Sequence, residues 1–280
     1  MKVGVVGMGT MGAGIAQVSV TAGHETVGRE VELALAERGR ATIERYLGRA
    51  VEKGRMGEGE RDQALGRLSL TTSLDDLDDC DLVIEAIVEE LDAKRELFRE
   101  LDRLTRGDAV LATNTSALSV TEIAEATQHP ERVVGMHFFN PAPVLPLVEI
   151  VKAERSSDDA VQTAYDWAMA AGKQPVKCND TPGFIVNRIL IPLLNDCVRV
   201  LDEAGVGPED MDKAMTNGAG WPMGPCALVD LVGIDIHVHA SKALHAKLGE
   251  PRMAPPERLV QMQAEGKLGR KSGEGFYRYD

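Results

Sequence analysis

Cysteine is scarce in this sequence of 280 residues, and no long apolar run is present. The four cysteines, Cys80, Cys178, Cys197 and Cys226, form no C-x-x-C pair, so their spacing predicts neither a disulfide framework nor a zinc ribbon. No segment approaches the roughly 20 apolar residues of a membrane span, and the start of the chain, MKVGVVGMG, lacks the apolar core of a signal peptide. We therefore expect a reduced, cytoplasmic protein that is not inserted into a membrane.

Basic charge is also in short supply. The chain carries 31 Lys and Arg residues against 44 Asp and Glu residues, which gives a formal net charge of -13. A field of this sign repels nucleic acids and anionic membranes, so neither is expected as a partner. Any ligand that carries phosphate groups must bind at a local basic patch. The length allows one large domain or two modest ones, of which we expect two.

Short β-branched runs alternate with longer amphipathic segments from Lys2 to Cys178, a pattern typical of βαβ units around a parallel sheet. We expect five or six strands, and the candidate runs begin at Lys2, His24, Leu68, Asp81, Asp108, Arg132 and Leu147, with a last run from Gln174 to Cys178. Helices are predicted for Met11–Ala22, Glu32–Arg55, Leu91–Leu104 and Ser157–Ala171. The pattern predicts an α/β domain with a doubly wound, mostly parallel, Rossmann-like sheet.

The strand pattern ends after Cys178, and the sequence Asp180-Thr181-Pro182-Gly183 breaks the chain before a run of helical segments. These segments are Phe184–Glu203, Pro208–Thr216, Cys226–Val232, Asp235–Leu248 and Pro256–Glu265. We place the domain boundary here, which gives residues 1–181 to the α/β domain and residues 182–280 to a smaller all-helical domain. Because a unit of about 100 residues often completes its core against a second subunit, we expect a homodimer through the helical domain.

A glycine-rich turn after the first strand fits G-x-G-x-x-G and consists of Gly7, Met8, Gly9, Thr10, Met11 and Gly12. Its position between a strand and a helix is that of a dinucleotide-binding turn, with an ordinary glycine-rich βα turn as the alternative. Glu30 ends the expected second strand, where an acid accepts hydrogen bonds from the adenosine ribose hydroxyls unless it is merely solvated. This acid favours NAD over NADP, although Arg29 could offset its charge. Gly28 inside this strand has no explanation at this level, because glycine weakens a strand.

Two residues that are candidates for acid–base chemistry follow later strands. His137 ends a strand whose C-terminal end faces the ligand crevice of such a sheet, and imidazole suits proton removal from an alcohol. Glu149 interrupts an apolar run, where a carboxylate needs a partner unless it points to water from an edge strand. The proline-rich turn from Asn140 to Pro143 could fold Glu149 back beside His137. The pair would then act as a catalytic dyad.

Other polar residues are weaker candidates. Ser116 follows a strand and is not needed as a helix cap, so it could bind the reacting substrate oxygen together with Asn187, although both could simply be solvated. Arg45, Arg49 and Lys53 recur every fourth residue and form a basic stripe, which could hold phosphates or pair with Glu44 and Glu52 on a solvated face. The remaining histidines show no ligand spacing, so no metal site is expected.

Several longer segments carry a family resemblance. GMGTMGAGIAQ, EAIVEE, NTSALSVTEIA, GMHFFNPAPVLPLVEIV, DTPGFIVNRIL, GWPMGPCALVDLVGID and GRKSGEGFY together resemble the L-3-hydroxyacyl-CoA dehydrogenases, especially the bacterial 3-hydroxybutyryl-CoA dehydrogenases. The resemblance spans nearly the whole chain. It implies reversible oxidation of a (3S)-3-hydroxyacyl-CoA with NAD, by a Rossmann-like domain followed by a dimer-forming helical domain.

The resemblance also implies roles for single residues. His137 would be the acid–base, Glu149 its partner, and Ser116 and Asn187 contacts of the substrate oxygen. The positions expected around the dinucleotide are Glu30, Glu89, Lys94, Asn114, Ser116, Asn140 and Lys271. Lys53 matches a coenzyme A contact, whereas Tyr46 and Gly28 depart from the usual serine and apolar residue. Two alternatives remain: a related hydroxy-acid or sugar-acid dehydrogenase that does not use coenzyme A, and a dinucleotide-sensing protein without catalysis.

Overall fold

The computed structural model describes residues 1–279, and the chain divides into two compact units, Met1–Thr181 and Pro182–Asp280. The first unit contains one eight-stranded sheet in the order β3-β2-β1-β4-β5-β6-β7-β8. Its strands are β1 (Lys2–Val6), β2 (Glu25–Arg29), β3 (Leu68–Thr71), β4 (Leu82–Glu85), β5 (Val110–Thr113), β6 (Val133–Phe138), β7 (Leu147–Lys152) and β8 (Gln174–Asn179). The sheet is therefore larger than the five or six strands expected.

All neighbouring strands are parallel except β6 and β7. The predicted doubly wound, mostly parallel fold is confirmed. The order β3-β2-β1-β4-β5-β6 reverses direction between β1 and β4, and in open α/β sheets ligands bind outside the carboxyl ends of the strands at such a point. The glycine turn follows β1 directly, so the topology places it at this crevice.

Six helices accompany the sheet: α1 (Thr10–Thr21), α2 (Leu33–Glu52), α3 (Glu58–Gly66), α4 (Leu91–Leu104), α5 (Val120–Ala124) and α6 (Asp158–Ala170). β4, β5 and β6 are buried along their whole length, which explains why they are apolar without strict alternation. The charged, mostly exposed helix α3 was not predicted, because only Ala64 of its residues is buried and no apolar periodicity marks it.

The second unit is helical and consists of α7 (Val186–Ala204), α8 (Pro208–Gly218), α9 (Pro225–Val232), α10 (Ile234–Leu248) and α11 (Glu257–Ala264). Its apolar side chains form small separate clusters, one of which gathers Leu194, Val229, Val238 and Leu259. Buried Asp230 accepts hydrogen bonds from the backbone amides of Phe276 and Tyr277 and so holds the end of the chain. Within residues 1–279, no helix combines the length and apolar character needed to cross a membrane.

A buried histidine predicts acid sensitivity. His237 lies inside the second unit with its Nε2 2.8 Å from the Asn195 side-chain oxygen, and burial lowers its pKa from 6.5 to about 4. Between these two pH values the unfolded chain binds a proton that the folded chain refuses, so stability falls as the pH falls. We expect the free energy of unfolding to drop by on the order of 3 kcal/mol over this range.

Denaturant unfolding at several pH values measures this drop. His237→Gln should remove most of the slope between pH 6.5 and about 4, because no buried imidazole remains to be protonated. His239→Gln, on the exposed side of the same helix α10, is the matched control and should keep the slope. Equal slopes in both variants would rule out His237 as the source.

Candidate active site

The glycine turn is closely packed and requires glycine at two of its positions. Gly7 has φ +92°, and a Cβ there would lie 2.6 Å from the carbonyl oxygen of Ala86. A Cβ at Gly12 would lie only 1.6 Å from the carbonyl oxygen of Gly7, whereas a Cβ at Gly9 would meet nothing within 4 Å. Helix α1 therefore packs closely on β1 and begins beside open space, with no side-chain cap and no acidic residue in its first turn. Its N–H groups are arranged to face an anion.

Glu30 follows β2 and contacts the turn. Its Oε1 accepts a hydrogen bond from the Met8 amide at 3.0 Å, and its Oε2 accepts one from the Val31 amide at 2.9 Å. Each oxygen keeps acceptor capacity for ribose hydroxyls. Arg29 does not neutralise this acid, because its Nε donates to the Thr72 carbonyl at 3.3 Å and no ion pair between Arg29 and Glu30 is present in residues 1–279. The acid and the turn thus fit NAD.

The structure explains Gly28. A Cβ there would lie 2.8 Å from the Met8 Sδ and 2.9 Å from its Cε. A Cβ at Gly39 of α2 would likewise lie 2.9 Å from the Met8 Cβ. The buried Met8 side chain therefore occupies the space that two glycines leave on β2 and α2. The gap expected beside Gly28 is filled from the glycine turn.

His137 and Glu149 are cross-strand neighbours. The antiparallel pairing of β6 and β7 places them directly opposite each other, so both side chains lie on one face of the sheet. The His137 Nδ1 is 2.6 Å from the Glu149 Oε2, and both residues are buried. The ring of Phe139 packs against the imidazole, with the ring centroids 4.5 Å apart. The carboxylate is thus held in contact with one ring nitrogen.

Hydrogen bonds fix the loop that follows β5 and the β6–β7 connection beside this pair. Asn114, which follows β5, accepts a hydrogen bond from the Phe138 amide at 2.9 Å through its side-chain oxygen. Asn140 follows β6 and begins the turn to β7. Buried Lys173 donates to the carbonyl oxygens of Ala142 and Leu145 in that turn, so the β6–β7 connection is held by an ammonium group.

Glu89 and Lys94 lie beside the loop that follows β5. The Glu89 Oε1 accepts hydrogen bonds from the Ser116 amide at 2.9 Å and the Thr115 hydroxyl at 2.6 Å. The Lys94 ammonium lies 3.3 Å from the Glu89 Oε2 and 2.5 Å from the Glu85 Oε1. The structure therefore brings Glu89, Lys94 and Ser116 together in the first unit. Glu85 belongs to the same cluster, and it was not predicted from the sequence.

The basic stripe lies on the exposed side of α2. Within residues 1–279 no carboxylate forms an ion pair with Arg45, Arg49 or Lys53, and Glu44 pairs instead with Arg40 at 2.9 Å. The stripe is therefore a solvated face, as the alternative expected, but within residues 1–279 it lacks the expected ion pairs with Glu44 and Glu52. The Arg45 guanidinium lies 5.4 Å from the centre of the Tyr46 ring. The stripe offers positive charge without an internal counter-ion.

Two further candidates belong to the second unit. Asn187 lies in the first turn of α7. The Lys271 ammonium forms an ion pair with Asp235 at 2.6 Å. Sequence reasoning singled out neither Asp235 nor the buried Lys173. Both are charged residues whose partners are distant in the sequence. The only feature that marks them in the sequence is a charge beside an apolar segment.

Comparison with known proteins gives a consistent result. A family model described as 3-hydroxyacyl-CoA dehydrogenase, NAD binding domain, matches residues 2–181, and the C-terminal domain model of the same family matches residues 183–279. The 3-hydroxybutyryl-CoA dehydrogenase of Mycobacterium tuberculosis is 47% identical over 280 residues, covering 99% of this chain and 98% of the relative.

Two other relatives agree. The human mitochondrial hydroxyacyl-coenzyme A dehydrogenase is 40% identical over 282 residues, covering 98% of this chain and 90% of the relative. The crystal structure of (S)-3-hydroxybutyryl-CoA dehydrogenase from Ralstonia eutropha superimposes with a TM-score of 0.96 at 38% identity, covering 100% of this chain and 99% of that one. The resemblance found in the sequence is confirmed. The chain belongs to the 3-hydroxyacyl-CoA dehydrogenase family and is an NAD-dependent oxidoreductase that acts on a CH–OH group.

Proposed function

We propose that this protein catalyses the reversible oxidation of (3S)-3-hydroxybutyryl-CoA and related 3-hydroxyacyl-CoA thioesters to 3-oxoacyl-CoA, with His137 and Glu149 as a catalytic dyad. The observation that carries this proposal is the buried contact of 2.6 Å between the His137 Nδ1 and the Glu149 Oε2. It stands at the carboxyl end of β6, in a unit that matches the NAD-binding domain of the family. The names of the relatives support the thioester substrate.

The contact with Glu149 supports Nε2 as the reacting nitrogen of His137. A carboxylate can only accept a hydrogen bond, so the Nδ1 facing Glu149 carries a hydrogen and the Nε2 has the lone pair. In the oxidation direction Nε2 takes the proton of the substrate hydroxyl at C3. The hydrogen bonded to C3 leaves as a hydride, with both electrons of the C3–H bond. Bound NAD supplies the hydride acceptor. Glu149 then stabilises the imidazolium that forms, and the proton returns in the reverse direction.

Other residues would position the reactants. The glycine turn and Glu30 would hold the pyrophosphate and the adenosine ribose, while Glu89, Lys94, Asn114 and Asn140 would lie around the rest of the dinucleotide. Ser116 would donate its hydroxyl to the reacting oxygen, which favours the developing charge. Asn187 and Lys271 stay predictions from the resemblance. Lys53 would bind a phosphate of coenzyme A, because a charged donor without an internal partner suits that anion.

A single assay series tests the proposed function. NADH oxidation with acetoacetyl-CoA is followed spectrophotometrically, and thioesters of four, eight and sixteen carbons are compared with NADH and NADPH. We expect turnover with the four-carbon thioester and a clear preference for NADH. A protein that binds NADH but reduces none of the thioesters would instead be a dinucleotide sensor. A protein that is active only with free hydroxy acids would be a dehydrogenase of another substrate class.

The dyad makes its own prediction. Glu149→Gln keeps the size of the side chain but removes the charge that stabilises imidazolium. We expect kcat to fall by roughly 10- to 100-fold, with the Michaelis constant for NADH little changed, because hydrogen bonds to charged groups contribute about 1.5 to 3 kcal/mol. Steady-state kinetics measure this. The control is Glu154→Gln, which replaces an exposed carboxylate just beyond β7. Equal activity in the two variants would remove Glu149 from the mechanism.

We also propose that two copies pair through the second unit. α7, α9 and α10 contact one another and expose large apolar side chains, among them Ile189 at 62% and Ile236 at 54%. Exposed apolar groups of this size on adjacent helices favour a second subunit. Light scattering should give a mass near twice that of the chain, and Ile189→Glu with Ile236→Glu should reduce it to one chain. A monomeric parent protein would reject this pairing.

A further inference from the structure

Three charged side chains form a continuous chain of contacts beneath the loop that follows β5. Glu85 is the last residue of β4 and has no exposed surface. Lys94, on α4, is buried as well, and its ammonium bridges the Glu85 Oε1 at 2.5 Å and the Glu89 Oε2 at 3.3 Å. A carboxylate, an ammonium and a second carboxylate therefore follow one another from the sheet toward the loop.

The two carboxylates of this charged series, Glu85 and Glu89, also accept hydrogen bonds from backbone amides and from neighbouring side chains. The Glu85 Oε2 accepts the Thr113 hydroxyl at 2.7 Å, and its Oε1 accepts the Ile87 amide at 2.7 Å. At the other end one oxygen of Glu89 accepts the amides of Ser116 at 2.9 Å and Ala117 at 3.2 Å. The position of the Ser116 loop is thus set by Glu89, and the position of Glu89 is tied to Glu85 through Lys94.

Stability alone is a poor explanation for such a cluster. Burial raises the pKa of Glu85 in spite of the adjacent Lys94 ammonium. For Glu89 burial also opposes charge, but the Lys94 ammonium and the donors of the loop prevail and lower its pKa. Replacing a buried ion pair by apolar side chains is often neutral or stabilising, so its presence points to a geometric use. What the cluster holds in place is the loop that carries Ser116.

We propose that Glu85 is a positioning residue that fixes the Ser116 loop through Lys94 and Glu89. This inference rests on the proposed function, in which Ser116 contacts the reacting oxygen of the substrate. Glu85 itself is fully buried and contacts neither reactant in this role. Because a displacement of about 1 Å can cost about 100-fold in rate, a small shift of the loop is enough to be measured.

The test is a double-mutant cycle of Glu85→Gln with Ser116→Ala. Gln keeps the shape of the side chain, its oxygen can still accept from the Ile87 amide and its NH2 group can donate to the Thr113 hydroxyl, but it no longer carries the charge that attracts Lys94. We expect Glu85→Gln to lower kcat with acetoacetyl-CoA by roughly tenfold. In the Ser116→Ala background the same change should cost less than about twofold. Equal losses in both backgrounds, or no loss in either, would overturn the proposal.

Controls separate positioning from loss of folding. Glu96→Gln removes an exposed carboxylate from the same helix α4 and should change nothing. If Glu85→Gln unfolds, the double variant Glu85→Gln with Lys94→Met removes both charges of the fully buried pair and should show the same dependence on Ser116.

A second measurement needs no substrate. Hydrogen exchange at the Ser116 and Ala117 amides should become faster in Glu85→Gln, because their acceptor Glu89 is no longer fixed through Lys94. Unchanged exchange would reject the proposal even if acetoacetyl-CoA proved not to be reduced. Failure of the proposed function would appear separately, as an inactive parent protein.

Discussion

His137→Gln should lower kcat for acetoacetyl-CoA reduction by at least about 100-fold, since a positioned acid–base group contributes about 10² to 10⁴. Gln keeps a polar side chain between the buried Glu149 and Phe139 but cannot carry a proton between substrate and solvent. The loss should fall on kcat, because the residues expected to hold NADH are untouched. Steady-state rates and NADH binding by fluorescence measure the two effects separately.

The matched control for this experiment is His129→Gln. His129 precedes β6, at the opposite end of the strand from His137, and its Nδ1 lies 3.2 Å from Asp102. It is also a histidine and lies just before the same strand, but it is away from the carboxyl-end crevice, so its replacement should leave kcat unchanged. Near-normal turnover in His137→Gln would remove this imidazole from the mechanism.

Reversing the charges of Arg49 and Lys53 together should raise the Michaelis constant for acetoacetyl-CoA by on the order of 10- to 100-fold. Each is an exposed charged donor whose contact with a phosphate contributes about 1 kcal/mol, so that the loss of both costs roughly 30-fold. Neither has an ion-pair partner within residues 1–279, so its charge is available to a phosphate. The turnover at saturation should change little, because both residues lie on the nucleotide side of the thioester in the proposed function.

Two comparisons make this result specific. Acetoacetyl-N-acetylcysteamine has the same reacting group without the nucleotide, so its Michaelis constant should not respond to Arg49→Glu with Lys53→Glu. Arg99→Glu with Arg103→Glu reverses two exposed charges at the same spacing on α4 and changes the net charge equally. If this control pair raises the Michaelis constant for acetoacetyl-CoA to the same extent, the effect comes from the net charge of the whole protein and not from the basic stripe.

Much of this architecture was predictable because its signals are local. The alternation of apolar strands and amphipathic helices predicted the Rossmann-like sheet, and the confirmed family followed from short segments such as GMHFFNPAPVLPLVEIV. The turn after β1, the acid after β2 and the position of His137 near the end of β6 each depend on residues that are close together in the sequence. NAD as cofactor follows from the same local features together with the family.

What escaped prediction depends on pairs that are distant in sequence. The register of β6 against β7, which brings His137 opposite Glu149, became definite only in three dimensions. Glu85 looks like the polar end of an apolar strand until Lys94 and Glu89 are seen around it. Lys173 is similar, since its acceptors Ala142 and Leu145 lie about 30 residues earlier in the chain. For Glu85 and Lys173 the physical reason is a buried charge whose partner no local pattern identifies, whereas the pairing of His137 with Glu149 was expected and only its register was not.

Met8, Gly28 and Gly39 form a set of residues in mutual contact, so a larger residue at one position requires the others to shift. Any branched residue introduced on β2 at position 28 would collide with a thioether supplied from the phosphate-binding turn. A redesign of the adenosine end must therefore exchange the methionine for a smaller residue in the same step, or the intended change of nucleotide selectivity will be masked by a displaced turn.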